Sequence, residues 1–483
     1  MAAAIAHVHP VAPTASVVCR ELKNQKPNSR TQYLAVVLVL AILLCLTWTS
    51  WLVRLTVTPT ETVNDMMHTK ELDQGAFWLF VDPTKATLIL GLMALGFIIL
   101  AYLVVFALAM RSILKHFFPR ANMHNWLDLF IDGFQKRHIS RVLSRSTSSS
   151  SWTGRTASQL ATELLNQDSR TRLLLRVAIK VADLTVQSVF LVQLLERGTP
   201  IVLVTAFAAT VSLNSFATGY FFARHKRYTG LQHVVADTTW VLFFLGWIRV
   251  VYSRSHFVLF DLMIAVVYPM TTLLYCLTNF TFDRTLMAIN VRTFPPGMFE
   301  RVAAVVANPV QFAIIRHSLN SLRVHSLLDA FTHVGTNLAL CIQLVRLTRA
   351  MFATIPLDLN RSPGTKKQWR LIMTTVFWFW GLALISFTAL SIRTAAKACA
   401  SHPECVQIAH HAVVGHNPPC PCIAVIDGTI TVDNYEEWRS PLDVTEKIQQ
   451  LASSGYLETL QLVNRGLEEL PKELDRCKQL KHL

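Results

Sequence analysis

The chain has 483 residues, of which 52% are hydrophobic, and its mean hydropathy is +0.38. This composition excludes a single water-soluble globular domain and indicates that lipid is the solvent for much of the chain. The net charge of +15 is uneven, because residues 399–483 carry 7 Lys+Arg against 12 Asp+Glu, a net of −5, which leaves +20 on the rest. The excess cations flank hydrophobic segments, where membrane topology requires them, so nucleic acid is not expected as a partner.

The first predicted elements are a polar N-terminal segment and a transmembrane hairpin. Residues 1–32 lack the apolar region of a secretory signal peptide and carry a basic flank, so we expect them in the cytoplasm, followed by an uncleaved signal-anchor. Residues 33–53 and 86–110 contain no charged side chain and are each long enough to span a bilayer. The sequence therefore predicts a transmembrane hairpin over 33–110.

A polar, basic and Ser-rich stretch over 111–172 follows, and its composition predicts a solvated cytoplasmic linker; a phosphorylation-tuned tether near anionic lipid is the alternative. Residues 173–282 form a predicted four-helix transmembrane region. Its spans are expected at about 177–195, 200–222, 234–252 and 256–280, joined as two short hairpins.

Ionisable residues inside these spans are costly in hydrocarbon and need partners. Lys180 and Asp183 are three residues apart on one helix and can pair, while Arg249 and Asp261 flank the outer end of a hairpin and can pair across it. Asp237 lies in the first turn of its predicted helix and can reach the interface. Structural pairing is the simpler interpretation of these charges, and a transport pathway is the alternative.

Residues 283–370 form a predicted basic cytoplasmic or interfacial region with two apolar stretches, 302–315 and 327–345. The first contains Pro309 and is too short to span, and the second contains Asp329, so both are expected to be interfacial or re-entrant. The last predicted span is 371–391. Seven crossings put the C-terminal tail outside the cell, and the sequons at Asn279 and Asn360 then lie on the cytoplasmic side.

Residues 392–439 form a predicted Cys/His-rich connector with a hairpin. Their spacings match no zinc finger, and paired cysteines outside the cell favour disulfides over a metal site, although a metal site stays open. The candidate disulfide cysteines are Cys399, Cys405, Cys420 and Cys422. The pair Asp427-Gly428 between two apolar runs predicts the tight turn of the hairpin.

The tail over 440–483 changes character again. Ser440-Pro-Leu-Asp443 predicts a helix start, with Ser440 as the N-cap, and an amphipathic helix to about Ala452. A leucine pattern follows, whose predicted core residues are Leu457, Leu460, Leu462, Leu467, Leu470, Leu474 and Leu480.

This pattern resembles the leucine-rich repeat, and Leu457 to Leu480 is one period of 23 residues. The resemblance implies a short strand on a concave face, with later leucines filling the core below it. The family places Asn or Cys where this chain has Arg465, which indicates an irregular first unit. Because stacked repeats need about three units to bury a core, we expect a truncated array or a relic. The whole chain resembles uncharacterised oomycete polytopic membrane proteins with a leucine-rich tail.

The predicted fold class is an all-α polytopic membrane bundle of about seven transmembrane helices with a small C-terminal α/β leucine-rich-repeat segment. No nucleotide-binding, hydrolase or metalloprotease motif is present, so we expect no enzyme, catalytic residue, cofactor or metal. The expected function is a receptor-like or scaffold protein in the plasma membrane that presents the leucine-rich segment to a protein or peptide ligand. The alternative is a channel or transporter with a regulatory tail. Membrane lipid is the other expected partner, and assembly of several copies stays open.

Overall fold

The computed structural model describes residues 29–70, 77–78, 80, 84–117, 169–224, 256–281, 308–352, 367–411, 419–428, 435 and 439–482. Within these residues most of the chain is helical. In chain order the helices are α1 (Ser29–Val57), α2 (Pro59–Met67), α3 (Lys85–Phe117), α4 (Ser169–Glu196), α5 (Ile201–Arg224), α6 (His256–Leu262), α7 (Tyr268–Asn279), α8 (Pro309–Asn320), α9 (Leu327–Phe352), α10 (Lys367–Ala398) and α11 (Thr445–Ala452). One π-helical turn, Met263–Val267, joins α6 to α7.

Six helical segments of the described chain are long and apolar enough to cross a membrane. They lie at Gln32–Val57, Lys85–Phe117, Val177–Glu196, Ile201–Tyr220, Val258–Asn279 and Gln368–Ala398. Such stretches form helices because a backbone in lipid must satisfy its own hydrogen bonds. The prediction of a mostly helical bundle with a small C-terminal sheet is confirmed at this level, with six such segments where the sequence predicted about seven spans.

Helices α1, α3 and α9 pack side by side around one apolar core. A Cβ on Gly91 of α3 would lie 3.8 Å from Thr56 near the end of α1 and 3.3 Å from Val324 just before α9. Further along α3, Tyr102 donates to Asn337 Oδ1 of α9 at 2.8 Å. Helix α3 therefore runs antiparallel to α1 and parallel to α9. The buried Tyr102–Asn337 hydrogen bond contributes about 0.6–2 kcal/mol to this packing.

Helices α4, α5 and α10 form the other side of the bundle. Ser215 Oγ donates to the Phe377 carbonyl oxygen at 2.7 Å, and a Cβ on Gly219 would lie 2.5 Å from Trp378. Thr374 Oγ1 also donates to the Gly219 carbonyl oxygen at 3.2 Å, and a Cβ on Gly381 would lie 2.6 Å from the Phe216 ring, so α5 and α10 are antiparallel. The contacts of Ser215 and Gly219 also show that the small residues of α5 serve close helix packing at these two positions.

The directions of α6–α7 and α9 follow from their contacts with α4. Lys180 lies beside Asp261 and Phe190 lies beside Tyr268, so α6–α7 runs parallel to α4. Phe190 also contacts His333, and a Cβ on Gly335 would contact Val186, so α9 runs antiparallel to α4. Helices α1, α4, α6–α7 and α10 therefore run one way through the bundle, and α3, α5 and α9 run the other way.

This arrangement corrects two predictions. The predicted sixth span, 256–280, is expected to run opposite to the predicted span at 177–195, but it runs in the same direction as α4, so Asn279 lies at the end of the bundle where α1 and α10 end. The stretch 327–345 is expected at the interface, but it belongs to α9, which packs along α3 inside the bundle. Both errors arise because the direction and the position of a helix depend on tertiary contacts, which cannot be predicted from hydropathy.

The helices α1 and α10 end at the same end of the bundle, which we call the domain end. It holds an aromatic cluster in which the fully buried Trp78 stacks on Phe312 at 5.2 Å and contacts Phe280 at 5.1 Å. Trp78 Nε1 donates to Thr69 Oγ1 at 2.9 Å, so its polar atom is satisfied. Helix α8 is fixed here, capped by Asn308, whose side chain accepts from the Val310 amide.

The C-terminal domain (residues 399–482) sits on the domain end. Its strands are β1 (Cys405–Ile408), β2 (Cys422–Gly428), β3 (Leu442–Asp443), β4 (Thr459–Val463) and β5 (Arg465–Gly466). Strand β2 pairs antiparallel with β1 and parallel with β4, β3 pairs parallel with β5, and Thr459 makes one parallel bridge to His482. Helix α11 and the 3₁₀ helix Lys472–Arg476 cover the sheet, and their apolar side chains share one core with the leucines of β4.

Three local predictions in this domain are wrong. Asp427 and Gly428 lie within β2, paired with Leu462 and Val463, because a parallel neighbour extends the strand through the expected turn. The helix begins at Thr445 and not after Ser440, because residues 442–443 pair with β5. Leu470 is 66% exposed and lies outside the core. The other predicted repeat leucines are buried in the core or packed against the core.

Several predictions lie outside the described residues. They concern the N-terminal segment before Ser29, most of the Ser-rich linker, the fifth span at 234–252 with Asp237 and Arg249, the sequon at Asn360, and the second strand of the predicted hairpin.

Candidate functional site

A buried cluster of charged side chains lies inside the bundle where α4 meets α6. Lys180 Nζ donates to Asp183 Oδ2 at 2.5 Å and lies 3.4 Å from Asp261 Oδ1. The three side chains are 7%, 3% and 1% exposed. One ammonium group therefore faces two carboxylates in a region of low dielectric, where such charges persist only when paired.

Amide side chains extend this cluster toward the domain end. Gln187 Nε2 donates to Asp183 Oδ1 at 2.7 Å, and Asn214 Nδ2 of α5 donates to Gln187 Oε1 at 3.1 Å. Asp261 Oδ2 and Asn214 Oδ1 have no hydrogen-bond partner among the described residues. The cluster is therefore polar, connected across three helices, and incompletely satisfied.

The backbone next to the cluster is unusual. Asp261 is followed within one turn by the π-helical segment Met263–Val267. Single π turns inside α-helices are rare and occur frequently at functional sites. Sequence analysis did not predict this turn, whose five residues are all apolar.

The structure brings together three of the five intramembrane charges named from the sequence. Lys180 and Asp183 pair on one helix, and Asp261 joins them from another. Asp237 and Arg249 lie outside the described residues, so the expected Arg249–Asp261 pairing stays a prediction. Gln187 and Asn214 were not singled out from the sequence, although polar residues at helical spacing within apolar spans were the available signal.

A second polar cluster lies nearer the domain end. Asp329 in the first turn of α9 accepts from Arg197 at 2.5 Å, from Gln193 at 2.7 Å and from the His325 amide at 3.0 Å. Arg197 also donates to the Ser321 carbonyl oxygen at 3.2 Å. This network ties the α4–α5 turn to the start of α9, and sequence analysis missed it because it placed Asp329 at the interface.

The four cysteines of the connector form two disulfides, Cys399–Cys420 and Cys405–Cys422. They close loops at the base of the C-terminal domain and tie the end of α10 to the sheet. The Sγ atoms of Cys399, Cys405 and Cys420 lie within 4.8 Å of one another. A metal at this position needs thiolates, and in the disulfide form these sulfur atoms are not available as thiolate ligands.

The C-terminal domain contacts the bundle directly at the α4–α5 turn. The His410 amide donates to the Leu195 carbonyl oxygen at 2.8 Å, and Gln407 Nε2 donates to the Gly198 carbonyl oxygen at 3.0 Å. Gly198 has φ +61°, and a Cβ there would lie 2.6 Å from the Ile408 carbonyl oxygen. Only glycine fits both the backbone conformation and this close approach.

The outer face of the sheet is partly covered by the bundle. Leu460 and Leu462 point into the domain core, so the alternate residues Thr459, Gln461 and Val463 face the other way. Thr459 is covered by α8, since Arg316 Nη2 donates to its hydroxyl at 3.1 Å. The covered part of this face is therefore not available to a ligand. The concave surface expected from the sequence is limited to Gln461, Val463 and their neighbours on β2.

Arg465 stands at the position that a leucine-rich repeat fills with Asn or Cys. Its Nε donates to Asp427 Oδ1 at 3.0 Å, and Lys447 Nζ donates to Asp427 Oδ2 at 3.0 Å. Burial raises the pKa of Asp427, but these two hydrogen bonds more than offset it, so the pKa lies below its usual value. Asn464, one residue earlier, has φ +54°, a conformation that asparagine tolerates well.

No family model, no curated protein and no solved structure matches the chain.

Proposed function

We propose that the protein is a polytopic membrane protein that presents its C-terminal domain outside the cytoplasm as a leucine-rich recognition module, without a catalytic role. The observation that carries this proposal is the direct contact between the domain and the α4–α5 turn, which involves His410, Gln407 and Gly198. When a ligand binds to the domain, a domain held by these contacts and two disulfides affects the bundle more directly than a domain on a flexible linker would.

Two observations support an extracytoplasmic position for the domain. Its sequence is net acidic, while α3 ends at the opposite end of the bundle, with Lys115 and His116 in its last turn. Its cysteines form disulfides, which persist in oxidising compartments such as the cell exterior. Plasma membrane residence is part of the same proposal.

The parallel pairing of β2, β4 and His482 supports the leucine-rich interpretation. Strands in such repeats stack in parallel, with the returning segments packed behind them. Here α11 and the 3₁₀ helix Lys472–Arg476 occupy the returning positions. The free part of the strand face, at Ile426, Gln461 and Val463, is the proposed site for a protein or peptide ligand.

Labelling with a membrane-impermeant maleimide in intact cells tests the topology, after all cysteines outside residues 399–483 have been replaced. Labelling that appears only after mild reduction supports an extracytoplasmic, disulfide-linked domain. Labelling that appears only after permeabilisation places the domain in the cytoplasm and contradicts the proposal.

A peptide-display selection against the purified full-length chain tests recognition. The proposal expects enriched peptides whose binding is lost in Gln461→Arg and retained in Gln449→Arg on α11, away from the strand face. Binding that is equal in both variants, or the absence of any enriched peptide, contradicts the proposed recognition face.

A channel or transporter is the second candidate, and the buried Lys180–Asp183–Asp261 cluster favours it. Ionisable groups at membrane depth often mark ion or proton pathways. Reconstitution of the wild type and of Asp261→Lys in liposomes, with conductance and proton flux recorded, tests this candidate. A folded wild type without flux under ion or pH gradients would exclude it.

A further inference from the structure

A small cavity lies at the junction between α8 and the C-terminal domain. We call it the junction cavity, and its ionisable lining residues are Arg316, His317, His325, Glu458, Lys481 and His482. Its volume is about 100 Å³. Because about 10–15 Å³ of such volume holds one water molecule, the cavity has room for several waters or one small solute and is too small for a nucleotide or a peptide segment.

Arg316 is the central residue of the junction cavity. It is 8% exposed, donates to Thr459 Oγ1 at 3.1 Å and lies over the Phe312 ring at 5.3 Å. Among the described residues no carboxylate oxygen lies within 4.0 Å of its guanidinium nitrogens. Burial lowers the pKa of Arg316 to about 10, so it is still a cation at neutral pH.

The other charges of the cavity compensate one another. Lys481 Nζ pairs with Glu458 Oε2 at 3.0 Å. Burial lowers the pKa of His325 and of His482 to about 4 and lowers that of His317, so these imidazoles are neutral at pH 7. Glu458 also acts electrostatically on Arg316. With neutral imidazoles, the described lining therefore holds two cations, Arg316 and Lys481, and one carboxylate, Glu458, a net charge of +1.

One imidazole of the lining also has unused hydrogen-bonding capacity. His317 Nε2 is buried and has no hydrogen-bond partner among the described residues. A buried cation is costly unless an anion or polar groups offset the loss of hydration. A planar guanidinium matches the geometry of carboxylates and phosphates, which accept two parallel hydrogen bonds from it.

We propose that the junction cavity binds one small oxyanion, a free carboxylate or phosphate, held by Arg316 with His317 as a neutral partner. The anion bridges α8 of the bundle and the sheet of the C-terminal domain. Because Arg316 and Thr459 come from the two sides of the junction, occupancy stabilises the docked position of the domain. This inference does not depend on the recognition role proposed above.

Thermal unfolding of the purified full-length chain in detergent, followed in sodium acetate, sodium phosphate or sodium chloride at equal ionic strength and pH 7, tests the proposal. At concentrations well above Kd, we expect acetate or phosphate to raise the Tm by about 2 °C or more relative to chloride. A response to acetate alone assigns a carboxylate ligand, and a response to phosphate alone assigns a phosphate. Equal Tm values in all three salts overturn the proposal, whatever the variants show.

Two variants test whether Arg316 is responsible for the anion-dependent rise in Tm. Arg316→Gln is expected to lose the anion-dependent shift, and Arg476→Gln, which removes the same charge from an exposed position of the same domain, is expected to keep it. Where Arg316→Gln does not fold, Arg316→Lys is the substitute, with an expected fall in anion affinity of about tenfold because a lysine cannot make the bidentate contact. An unchanged shift in the Arg316 variant overturns the assignment.

Discussion

Lys180 of α4 and Asp261 of α6 are 81 residues apart in the chain, and their Nζ and Oδ1 atoms lie 3.4 Å apart inside the bundle. Asp183 shares the same ammonium group from the next turn of α4. Together with the contact between Phe190 and Tyr268, this contact shows that α6–α7 runs parallel to α4. Within the part of the chain that the structure describes, Lys180 is the cation that faces both buried carboxylates.

Replacing Lys180 by Met is expected to be strongly destabilising, by about 3–5 kcal/mol, because it removes the counter-charge that the described residues supply to two buried carboxylates. Asp261→Asn is expected to cost less, because one carboxylate then remains for one ammonium. The double variant is expected to be more stable than Lys180→Met alone. Thermal unfolding of the purified chain measures all three, and a double variant no more stable than Lys180→Met would show that the charges are not coupled.

Gly198 controls the docking of the C-terminal domain. Gly198→Ala is expected to destabilise the chain by about 1–3 kcal/mol, because alanine is strained at positive φ and its Cβ would meet the Ile408 carbonyl oxygen. Gly96→Ala is the matched control, since a Cβ there meets nothing within 4 Å. Both variants are compared with the wild type by limited proteolysis of the domain and by measurement of the Tm. Equal behaviour of the two variants would contradict the docking contact.

The sequence predicts which segments are helices much better than how they are arranged. Uncharged stretches such as 33–53 can only be helical in lipid, so α1 and α3 follow from composition. Direction and partner choice rest on contacts such as Lys180–Asp261 and Tyr102–Asn337, and neither pair has a sequence signal. For this reason the direction of 256–280 and the place of 327–345 were predicted wrongly.

The same distinction holds in the C-terminal domain. Leu457, Leu460 and Leu474 are buried as their periodicity predicts. Asp427-Gly428 has the composition of a tight turn, but its pairing with β4 keeps it in a strand. The junction cavity has no sequence signal at all, because Arg316 and Lys481 lie in different segments that meet only when the domain docks.

The disulfides are expected to stabilise the C-terminal domain by about 3 kcal/mol each, since they close loops with sequence separations of 21 and 17 residues. Dithiothreitol is expected to make the domain more sensitive to trypsin and to lower its unfolding temperature. The variant in which Cys399, Cys405, Cys420 and Cys422 are all Ser is the control and is expected to show no response to the reductant. A wild type that is equally resistant in both conditions would contradict a stabilising role.

The imidazoles of the junction cavity are expected to make the docked domain acid-sensitive. The pKa of His325 and of His482 is about 4 in the folded chain, below the ordinary value of 6.5. Protonation therefore favours the unfolded chain, so the full stability is present above pH 6.5 and is lost progressively as the pH falls toward 4.

After allowance for partial exposure, this loss is about 1–2 kcal/mol for the pair. His325→Gln with His482→Gln is expected to reduce the fall in Tm between pH 6.5 and pH 4.5, whereas His411→Gln, at an exposed position, is expected to leave it unchanged. Thermal unfolding across this range measures the effect. A double variant with the pH profile of the wild type would show that other groups cause the acid sensitivity, because the two imidazoles would then titrate alike in the folded and unfolded chain.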